Sequence, residues 1–333
     1  MKKVKIAQIG VNSYSHGSQV WKSITKQTDI FDVVGYALPE REREISPKKM
    51  NSLLEGYREM TVVEILNDPE IEAVVIETDK TTLAKYSLIA AQAGKHVHME
   101  KPGSPVLAEF EAMIEELRAR NLVFSIGYMY RFNPKFQEVL ARVKSDELGE
   151  IYSIEAHMSC YHPEGTRKWL GECKGGMLFY LGCHLVDLIY QIQGEPSEVI
   201  PLSCSTNFNG ISSEDYGMVV FKYPNGISFA KSCATERGGF LRRQLVICGE
   251  KGTIELKPFE EYEPGGLMHT GYGESTATKW HEPWNVGQTD AFDRYDGMMR
   301  NFAELIRGKE NPYGYDYELN VYKLLMKACR NEQ

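Results

Sequence analysis

The chain has 333 residues, of which 42% are hydrophobic and 25% charged, and its formal net charge is −8 at pH 7. This composition is typical of a globular protein with two domains, and the acidic balance argues against a nucleic-acid or membrane-surface partner. No apolar run is long enough to cross a bilayer, and no signal-peptide pattern follows Met1. Seven cysteines without a C-x-x-C pair favour reduced thiols, so we expect a cytoplasmic protein.

The first part of the chain alternates short apolar runs with amphipathic stretches. The apolar runs predict strands over 4–10, 31–38, 71–77, 96–99 and 123–127. The amphipathic stretches predict helices over 16–26, 81–93 and 106–120, with further helices opened by Pro47 and capped by Thr61. Strict alternation of strands and helices predicts a parallel sheet wrapped by helices.

The turn after the first strand is the candidate site for a nucleotide phosphate. It reads Gly10-Val11-Asn12-Ser13-Tyr14-Ser15-His16-Gly17, whereas a dinucleotide fingerprint reads G-x-G-x-x-G. Asn12 tolerates left-handed backbone and could replace the second glycine, while Ser13 and Ser15 could donate to a phosphate beside the helix N-terminus. An ordinary strand-to-helix turn has the same composition, so both interpretations stay open.

The end of the second predicted strand bears on the choice between NAD and NADP. NAD sites place an acid there, but this strand ends in Leu38-Pro39 and Glu40 comes two residues late. Glu40 could still reach a ribose, and Arg41 or Arg43 could meet a 2′-phosphate. A charged surface loop accounts for the two arginines equally well.

Lys101 is the candidate proton donor or acceptor. A helix that ends at Gly94 leads into a strand followed by Glu100-Lys101-Pro102. Proline holds the residue before it in extended backbone, and ligands of open α/β sheets bind at the carboxyl ends of strands. A solvated lysine in a turn fits the same pattern.

A polar stripe marks the helix predicted over 177–192. Tyr180, His184, Asp187 and Gln191 follow one another at helical spacing on an otherwise apolar segment. Buried polar groups need partners or a wet cleft, which favours a functional site. Asp187 could orient the His184 ring or could make a structural hydrogen bond.

The remaining segments predict a second domain rich in strands. In the strand predicted over 151–162, period-two alternation separates His157 from Cys160 and His162, so we expect no metal site. Short alternating segments after Val199 predict an antiparallel sheet. The Gly- and His-rich stretch 260–284 fits a lid or an oligomer contact, and helices over 290–306 and 317–329 close the chain.

Several motifs together resemble those of one oxidoreductase family. Residues 93–97 followed by Glu100-Lys101-Pro102 resemble the signature A-G-K-H-V-x-x-E-K-P, and residues 127–134 resemble G-x-x-x-R-F-x-P. Residues 148–151, 175–187, 223–226 and 249–254 resemble an L-G-x-I segment, a histidine-bearing helix and two late hairpin turns. These motifs are similar to those of the Gfo/Idh/MocA oxidoreductases, which include glucose-fructose oxidoreductase and inositol dehydrogenases.

The resemblance implies an N-terminal Rossmann domain over 1–122 that binds NAD or NADP. It also implies a C-terminal α/β domain over 123–333 with a large, mostly antiparallel sheet, through which dimers or tetramers form. The residues expected to contact the cofactor are Gly10, Asn12, Ser13, Tyr14, Ser15, Thr78, Glu100 and Lys101. The residues expected to contact substrate are Lys101, Arg131, His157, Lys168, His184 and Asp187, and Trp169 is either a further contact or a core residue.

In the resembled family the lysine and the helix histidine face the nicotinamide and the substrate hydroxyl. Lys101 and His184 would take these catalytic roles, with Tyr180 standing where the family has an acid. We expect hydride transfer between NAD(P) and a sugar or polyol hydroxyl. Two alternatives are redox-neutral elimination or glycoside cleavage through transient oxidation, and a non-catalytic nucleotide- or sugar-binding protein on the same scaffold.

Overall fold

The computed structural model of the protein describes residues 2–45 and 50–332. The helix predicted to open at Pro47 lies outside the described residues. The chain forms two compact units: the first runs to Met129 and includes 295–320, and the second comprises 130–294 and 321–332. The domain limits 1–122 and 123–333 remain a prediction.

The first unit is built on a parallel sheet, as strand–helix alternation predicts. Its strands are β1 (Val4–Ile9), β2 (Phe31–Ala37), β3 (Arg58–Glu59), β4 (Ala73–Ile76), β5 (His96–Met99) and β6 (Phe124–Ile126). Its helices to this point are α1 (Gly17–Lys26), α2 (Glu42–Ile45), α3 (Met50–Leu54), α4 (Val62–Asn67), α5 (Leu83–Gln92) and α6 (Leu107–Ala119). The strand order is β3-β2-β1-β4-β5-β6, so the two halves of a doubly wound fold meet between β1 and β4.

Local sequence accounts for the helix ends in this unit. Thr61 begins α4 with a capping box, in which its hydroxyl accepts from the Glu64 N–H and the Glu64 carboxylate accepts from the Thr61 N–H. Gly94 follows α5 with a φ of +77°, a left-handed conformation that suits glycine. Both ends confirm the sequence prediction.

Strand register aligns the carboxyl ends of the central strands. Ile9 pairs with Ile76, Ile76 with Met99, and Met99 with Ile126. All four side chains are buried in the core. The residues that follow these strands therefore emerge at one edge of the sheet, where open α/β folds bind ligands.

The second unit contains the large, mostly antiparallel sheet. Its strands are β7 (Ile151–His157), β8 (Glu198–Pro201), β9 (Tyr216–Tyr223), β10 (Gly226–Cys233), β11 (Gln244–Gly249), β12 (Gly252–Leu256), β15 (Gly271–Ser275) and β16 (Asn285–Gln288), and a separate pair is β13 (Glu261–Tyr262) with β14 (Met268–His269). The order is β16-β15-β12-β11-β7-β10-β9-β8, with β7 and β10 the parallel neighbours. This unit also contains the helices α7 (Pro134–Lys144), α8 (Glu164–Leu170) and α9 (Cys183–Gln193). Helix α10 (Asp296–Ile306) belongs to the first unit, and α11 (Tyr315–Ala328) has residues in both units.

Three predicted elements differ in the structure. The helix predicted over 177–192 is a π-helical turn, Leu178–Gly182, followed by α9, and Gly182 lies too close to Leu178 and Ser232 for a side chain. The strand predicted over 151–162 ends at His157, although later N–H groups still bond alongside β10. The helix predicted from 290 begins at Asp296. Apolar periodicity does not detect a widened helical turn or irregular pairing at a strand end.

Within the described residues, no helix combines the length and the apolar character that crossing a bilayer requires.

Candidate active-site residues

The turn after β1 lies against the end of β4. Gly10 has a φ of +88°, and a Cβ placed on it would lie 2.7 Å from the Glu77 carbonyl carbon and 2.7 Å from Thr78 Cγ2. Only glycine combines that backbone conformation with this approach. The first residue of the turn is therefore set by both conformation and space.

The turn's own polar groups are satisfied by neighbouring side chains. Glu42 accepts hydrogen bonds from the Val11 N–H at 3.1 Å and from the Asn12 amide at 3.2 Å. The Asn12 side-chain oxygen accepts the Tyr14 N–H at 2.8 Å, and the Ser15 hydroxyl accepts the Gly17 N–H at 3.0 Å. Burial raises the pKa of Glu42, although the hydrogen bonds from the Val11 N–H and the Asn12 amide act to lower it.

Lys101 is buried beside a carboxylate and an imidazole. Its Nζ lies 3.6 Å from Glu100 Oε1, and the same oxygen lies 2.9 Å from His16 Nδ1 at the start of α1. The side chains of Lys101 and Glu100 are 1% and 3% exposed, whereas that of His16 is 21% exposed. Burial acts to raise the pKa of Glu100, but the charge and hydrogen bond of His16, with the charge of Lys101, lower it overall.

Gly127 leaves room for this carboxylate. A Cβ on Gly127 would lie 2.7 Å from Glu100 Oε2 and 3.1 Å from the Lys101 nitrogen. The two Glu100 oxygens are therefore placed separately, Oε1 toward the cations and Oε2 against a backbone without a side chain.

Glu77 is a second buried carboxyl at this edge. Both of its carboxyl oxygens are buried, and the Ser15 hydroxyl donates to the Glu77 backbone oxygen at 3.3 Å. Burial, together with the negative charge of Glu100, raises the pKa of Glu77 well above its usual range. Burial therefore favours the neutral form of Glu77, whereas the lowered pKa of Glu100 favours its carboxylate form beside Lys101.

In the second unit, Asp187 is engaged by an arginine. Arg131 donates from Nε and Nη2 to the Asp187 carboxylate at 2.7–3.1 Å, and Gln191 donates to it at 2.9 Å. Both charged side chains are almost fully buried. A two-pronged buried pair of this kind holds α9 to the segment before α7, which favours the structural role for Asp187.

His184 packs against an aromatic ring that carries a polar network. The rings of His184 and Tyr130 meet edge to face, with centroids 4.8 Å apart. The Tyr130 hydroxyl donates to Glu260 at 2.6 Å, and Arg243 and Arg294 also donate to Glu260. Burial, the largest effect, raises the pKa of Tyr130, so its hydroxyl stays protonated near neutral pH.

Tyr180 has different ring neighbours from His184. It meets Trp169 edge to face at 5.1 Å and lies 6.1 Å from the His162 ring. The π-helical turn between Leu178 and Gly182 interrupts the α-helical spacing on which the predicted stripe of four residues depends, so the place of Tyr180 in that stripe stays a prediction.

The other expected substrate contacts lie in different surroundings. His157 is buried, with Nε2 2.8 Å from the Ser159 hydroxyl and 3.1 Å from Glu236, and burial lowers its pKa. Lys168 is exposed on α8, and Trp169 is buried. Among the described residues, no group of three or more His, Cys, Asp or Glu side chains could hold a metal ion.

Comparison with known proteins shows what this architecture belongs to. The model of an oxidoreductase family with an NAD-binding Rossmann fold matches residues 4–128, and the model of the GFO/IDH/MocA C-terminal domain matches residues 136–255. The chain belongs to the Gfo/Idh/MocA family of oxidoreductases.

Relatives of this Gfo/Idh/MocA chain include bacterial oxidoreductases. The uncharacterized oxidoreductase YhhX of Escherichia coli is 32% identical over 41% of this chain and 39% of its own length. The scyllo-inositol 2-dehydrogenase (NADP(+)) IolW of Bacillus subtilis is 30% identical over 41% of this chain and 38% of its own. The chain thus spans about two-fifths of the length of these two relatives.

A solved structure shares the whole fold. An NADPH-dependent oxidoreductase from Desulfitobacterium hafniense DCB-2 superposes with a TM-score of 0.81, covering 99% of this chain and 95% of that one at 18% identity. At this identity the likeness concerns the fold.

The first unit is the NAD-binding Rossmann fold of this family, and its residues fit a dinucleotide. Gly10 gives the close turn that such a cofactor needs beside α1, and Ser13 and Tyr14 lie in the same turn. Phosphate binding at the Val11 N–H and the Asn12 amide requires Glu42 to leave them. Bound NAD(P) supplies a hydride donor or acceptor.

The structure thus brings some predicted residues together and leaves others apart. Lys101 and Glu100 lie side by side, and Gly10 contacts Thr78. In the second unit Arg131 joins Asp187. Sequence analysis assigned no role to His16, Glu42 or Glu77, although Glu77 is a charged residue directly after the apolar run Val74-Val75-Ile76.

Proposed function

We propose that the protein is an NAD(P)-dependent dehydrogenase or reductase of a sugar or polyol hydroxyl. The observation that carries the proposal is Lys101, buried at the carboxyl edge of an NAD-binding Rossmann sheet and within 3.6 Å of a carboxylate. A buried amine beside an acid is suited to exchange the proton of an alcohol. The similarity to a scyllo-inositol dehydrogenase supports a polyhydroxylated substrate.

The proposed roles follow from the surroundings of each residue. Lys101 takes the hydroxyl proton when the substrate is oxidised and returns it when a carbonyl is reduced. His184, held edge to face on Tyr130, is the second proposed proton-transfer group. Arg131 with Asp187, and His157, remain proposed substrate contacts, as does the exposed Lys168.

The purified protein is titrated with NADH and with NADPH, and binding is followed by nicotinamide fluorescence. This titration tests whether the protein binds a nicotinamide cofactor and which of the two nucleotides it prefers. Assay of inositols, aldoses and other polyols with NAD+ or NADP+ then tests the reaction, with NAD(P)H formed in proportion to substrate consumed. Lys101→Met serves as the inactive control. Binding of neither nucleotide would refute the proposal, and substrate cleavage without net NAD(P)H formation would refute the net oxidation.

We also propose that the chain forms homo-oligomers through the open face of the large sheet. Register aligns Val220, Phe229, Glu155 and Val246 across four adjacent strands, and all four are partly exposed. A partly apolar row with charged members can pair with a second copy of itself. Phe229→Lys is expected to yield monomers in sedimentation velocity, and unchanged assembly would contradict this face.

The cytoplasmic location also stays a proposal. It is supported by the cysteines, all seven of which are free thiols.

A further inference from the structure

Lys101 needs a route by which its proton reaches water. Its side chain is 1% exposed, so direct exchange between its amine and bulk water is hindered. Where the family has an acid before the helix histidine this chain has Tyr180, which is neutral near pH 7 and packs on Trp169. The carboxylate at 3.6 Å from Lys101 Nζ is instead that of the preceding residue, Glu100.

From these positions we propose that Glu100 and His16 form a proton-exchange chain that connects Lys101 to solvent. The inference rests on the proposed function and specifies how its proton is handled. Glu100 Oε1 lies between two basic groups, 3.6 Å from Lys101 Nζ and 2.9 Å from His16 Nδ1. Exposure of the side chains rises along the chain from 1% to 3% to 21%.

The transfers balance without an additional reactant. During oxidation the substrate O–H bond breaks and its proton joins the neutral Lys101 amine; bound NAD(P)+ would supply the acceptor for the hydride of the C–H bond that breaks at the same carbon. The Lys101 ammonium then gives a proton to the Glu100 carboxylate, and the resulting carboxylic acid gives it to the His16 imidazole. The His16 imidazolium releases the proton to water, and the chain returns to its starting state.

Neighbouring titratable groups do not offer the same route. Burial and the charge of Glu100 raise the pKa of Glu77 well above its usual range, which favours its neutral form over a carboxylate that could accept the Lys101 proton. His98 is completely buried on β5, and burial lowers its pKa to about 4. Glu42 accepts a hydrogen bond from the Val11 N–H in the turn. Tyr295, whose ring lies 5.5 Å from the His16 ring, has a phenol and no carboxylate to accept the Lys101 proton.

Glu100 and His16 act on the reaction only through Lys101, because they carry its proton and do not contact the reacting atoms. Imidazole suits the solvent end because it both gains and loses a proton near neutral pH. A purely structural His16 would only hold the Glu100 carboxylate in place. Glutamine can still donate a hydrogen bond to a carboxylate but cannot carry a proton, so His16→Gln separates the two roles.

Comparison of kinetic variants is the first test. His16→Gln is expected to lower kcat about 10- to 100-fold at pH 7, to change the pH profile of kcat and to leave the KM for the nucleotide within about twofold. His16→Ala should be slow, and added imidazole should restore its rate. The matched control is His96→Gln. The His96 ring lies away from this cluster and accepts a hydrogen bond from the Val123 N–H, with a distance of 2.9 Å, so kcat of the variant should equal that of the parent.

The proposed proton-exchange chain would be overturned if His16→Gln kept the kcat and the pH profile of the wild type. It would also be overturned if added imidazole failed to restore the rate of His16→Ala. If the parent protein oxidises no substrate, the proposed function fails and NMR decides the chain separately. The His16 ring signal, identified by its loss in His16→Gln, is titrated in the free protein. The pKa of His16 should fall by about one unit in Glu100→Gln and rise in Lys101→Met, and an unchanged pKa in both would overturn the coupling.

Discussion

Two regions of the molecule carry candidate proton-transfer groups, and they surround them differently. At the carboxyl edge of the parallel sheet, Lys101 Nζ lies 3.6 Å from the ionised Glu100, which the partly exposed His16 also contacts. On α9 the carboxylate of Asp187 is engaged by Arg131, and His184 packs on the Tyr130 ring.

This difference indicates which charges remain available for chemistry. A buried two-pronged arginine pair holds two segments together and is expensive to open. The Glu100 carboxylate beside Lys101 has a second, more exposed partner in His16, with which it can exchange a proton without leaving its place. The sheet edge is therefore the better place for proton exchange, and the Arg131–Asp187 pair is the better structural tie.

The largest expected effect distinguishes the two regions directly. Lys101→Met should lower kcat by about 10³-fold because it removes the amine that exchanges the hydroxyl proton, whereas His184→Asn should cost less. Steady-state kinetics with the identified substrate measures both. A greater loss in His184→Asn than in Lys101→Met would reverse the comparison.

The second prediction tests the structural tie. Arg131→Met leaves the buried Asp187 carboxylate without its cation and should lower the free energy of unfolding by about 3–5 kcal/mol. Urea denaturation followed by circular dichroism measures it. The double variant Arg131→Met/Asp187→Leu should recover most of the loss, and equal instability of the single and double variants would contradict the explanation.

The third prediction concerns the turn that precedes α1. Glu42→Gln removes a negative charge that holds the Val11 N–H and the Asn12 amide, so NAD(P)H should bind about 3- to 10-fold more tightly, or about 1 kcal/mol. Nicotinamide fluorescence gives the dissociation constant. The matched control is Glu44→Gln on the same short helix, an exposed residue paired with Arg41, which should bind as the parent does. Weaker binding in Glu42→Gln would show that Glu42 supports the cofactor.

The smallest expected effect is a pH-dependent one in the first unit. Arg307 donates to Glu72 at 2.8 Å, and this bond, the largest effect, lowers the pKa of Glu72. A carboxylate with a lowered folded-state pKa stabilises the protein above its unfolded value near pH 4.3, and that stability is lost as the pH falls through the lowered value.

Arg307→Gln should therefore cost about 1 kcal/mol at pH 7, and the difference from the parent should shrink in strong acid. Thermal unfolding between pH 3 and pH 7 measures this. Because the pair lies outside both candidate regions, catalysis at pH 7 should not change. If the stability difference between Arg307→Gln and the parent stayed constant across this pH range, Glu72 would be excluded as the group that causes its pH dependence.

Much of the fold follows from local sequence. The five predicted strands of the first sheet and the Thr61 cap depend on apolar runs and on neighbouring residues, and the structure confirms them. The motif around Lys101 likewise placed this residue at a strand end. The family was identified from motifs spread over the chain, and the family comparisons confirm it.

The sequence alone therefore determined the strand–helix alternation, the family and the position of Lys101 after β5, because each can be read from short motifs whose residues are neighbours in the chain. Only tertiary structure decided the partners of the charged groups. Glu100 meets His16 across 84 positions, Asp187 meets Arg131 across 56, and a π-helical turn precedes α9 where the sequence predicts one continuous helix. Charge pairing acts through space over a few ångströms, and strand register and helix winding set which distant residues come that close.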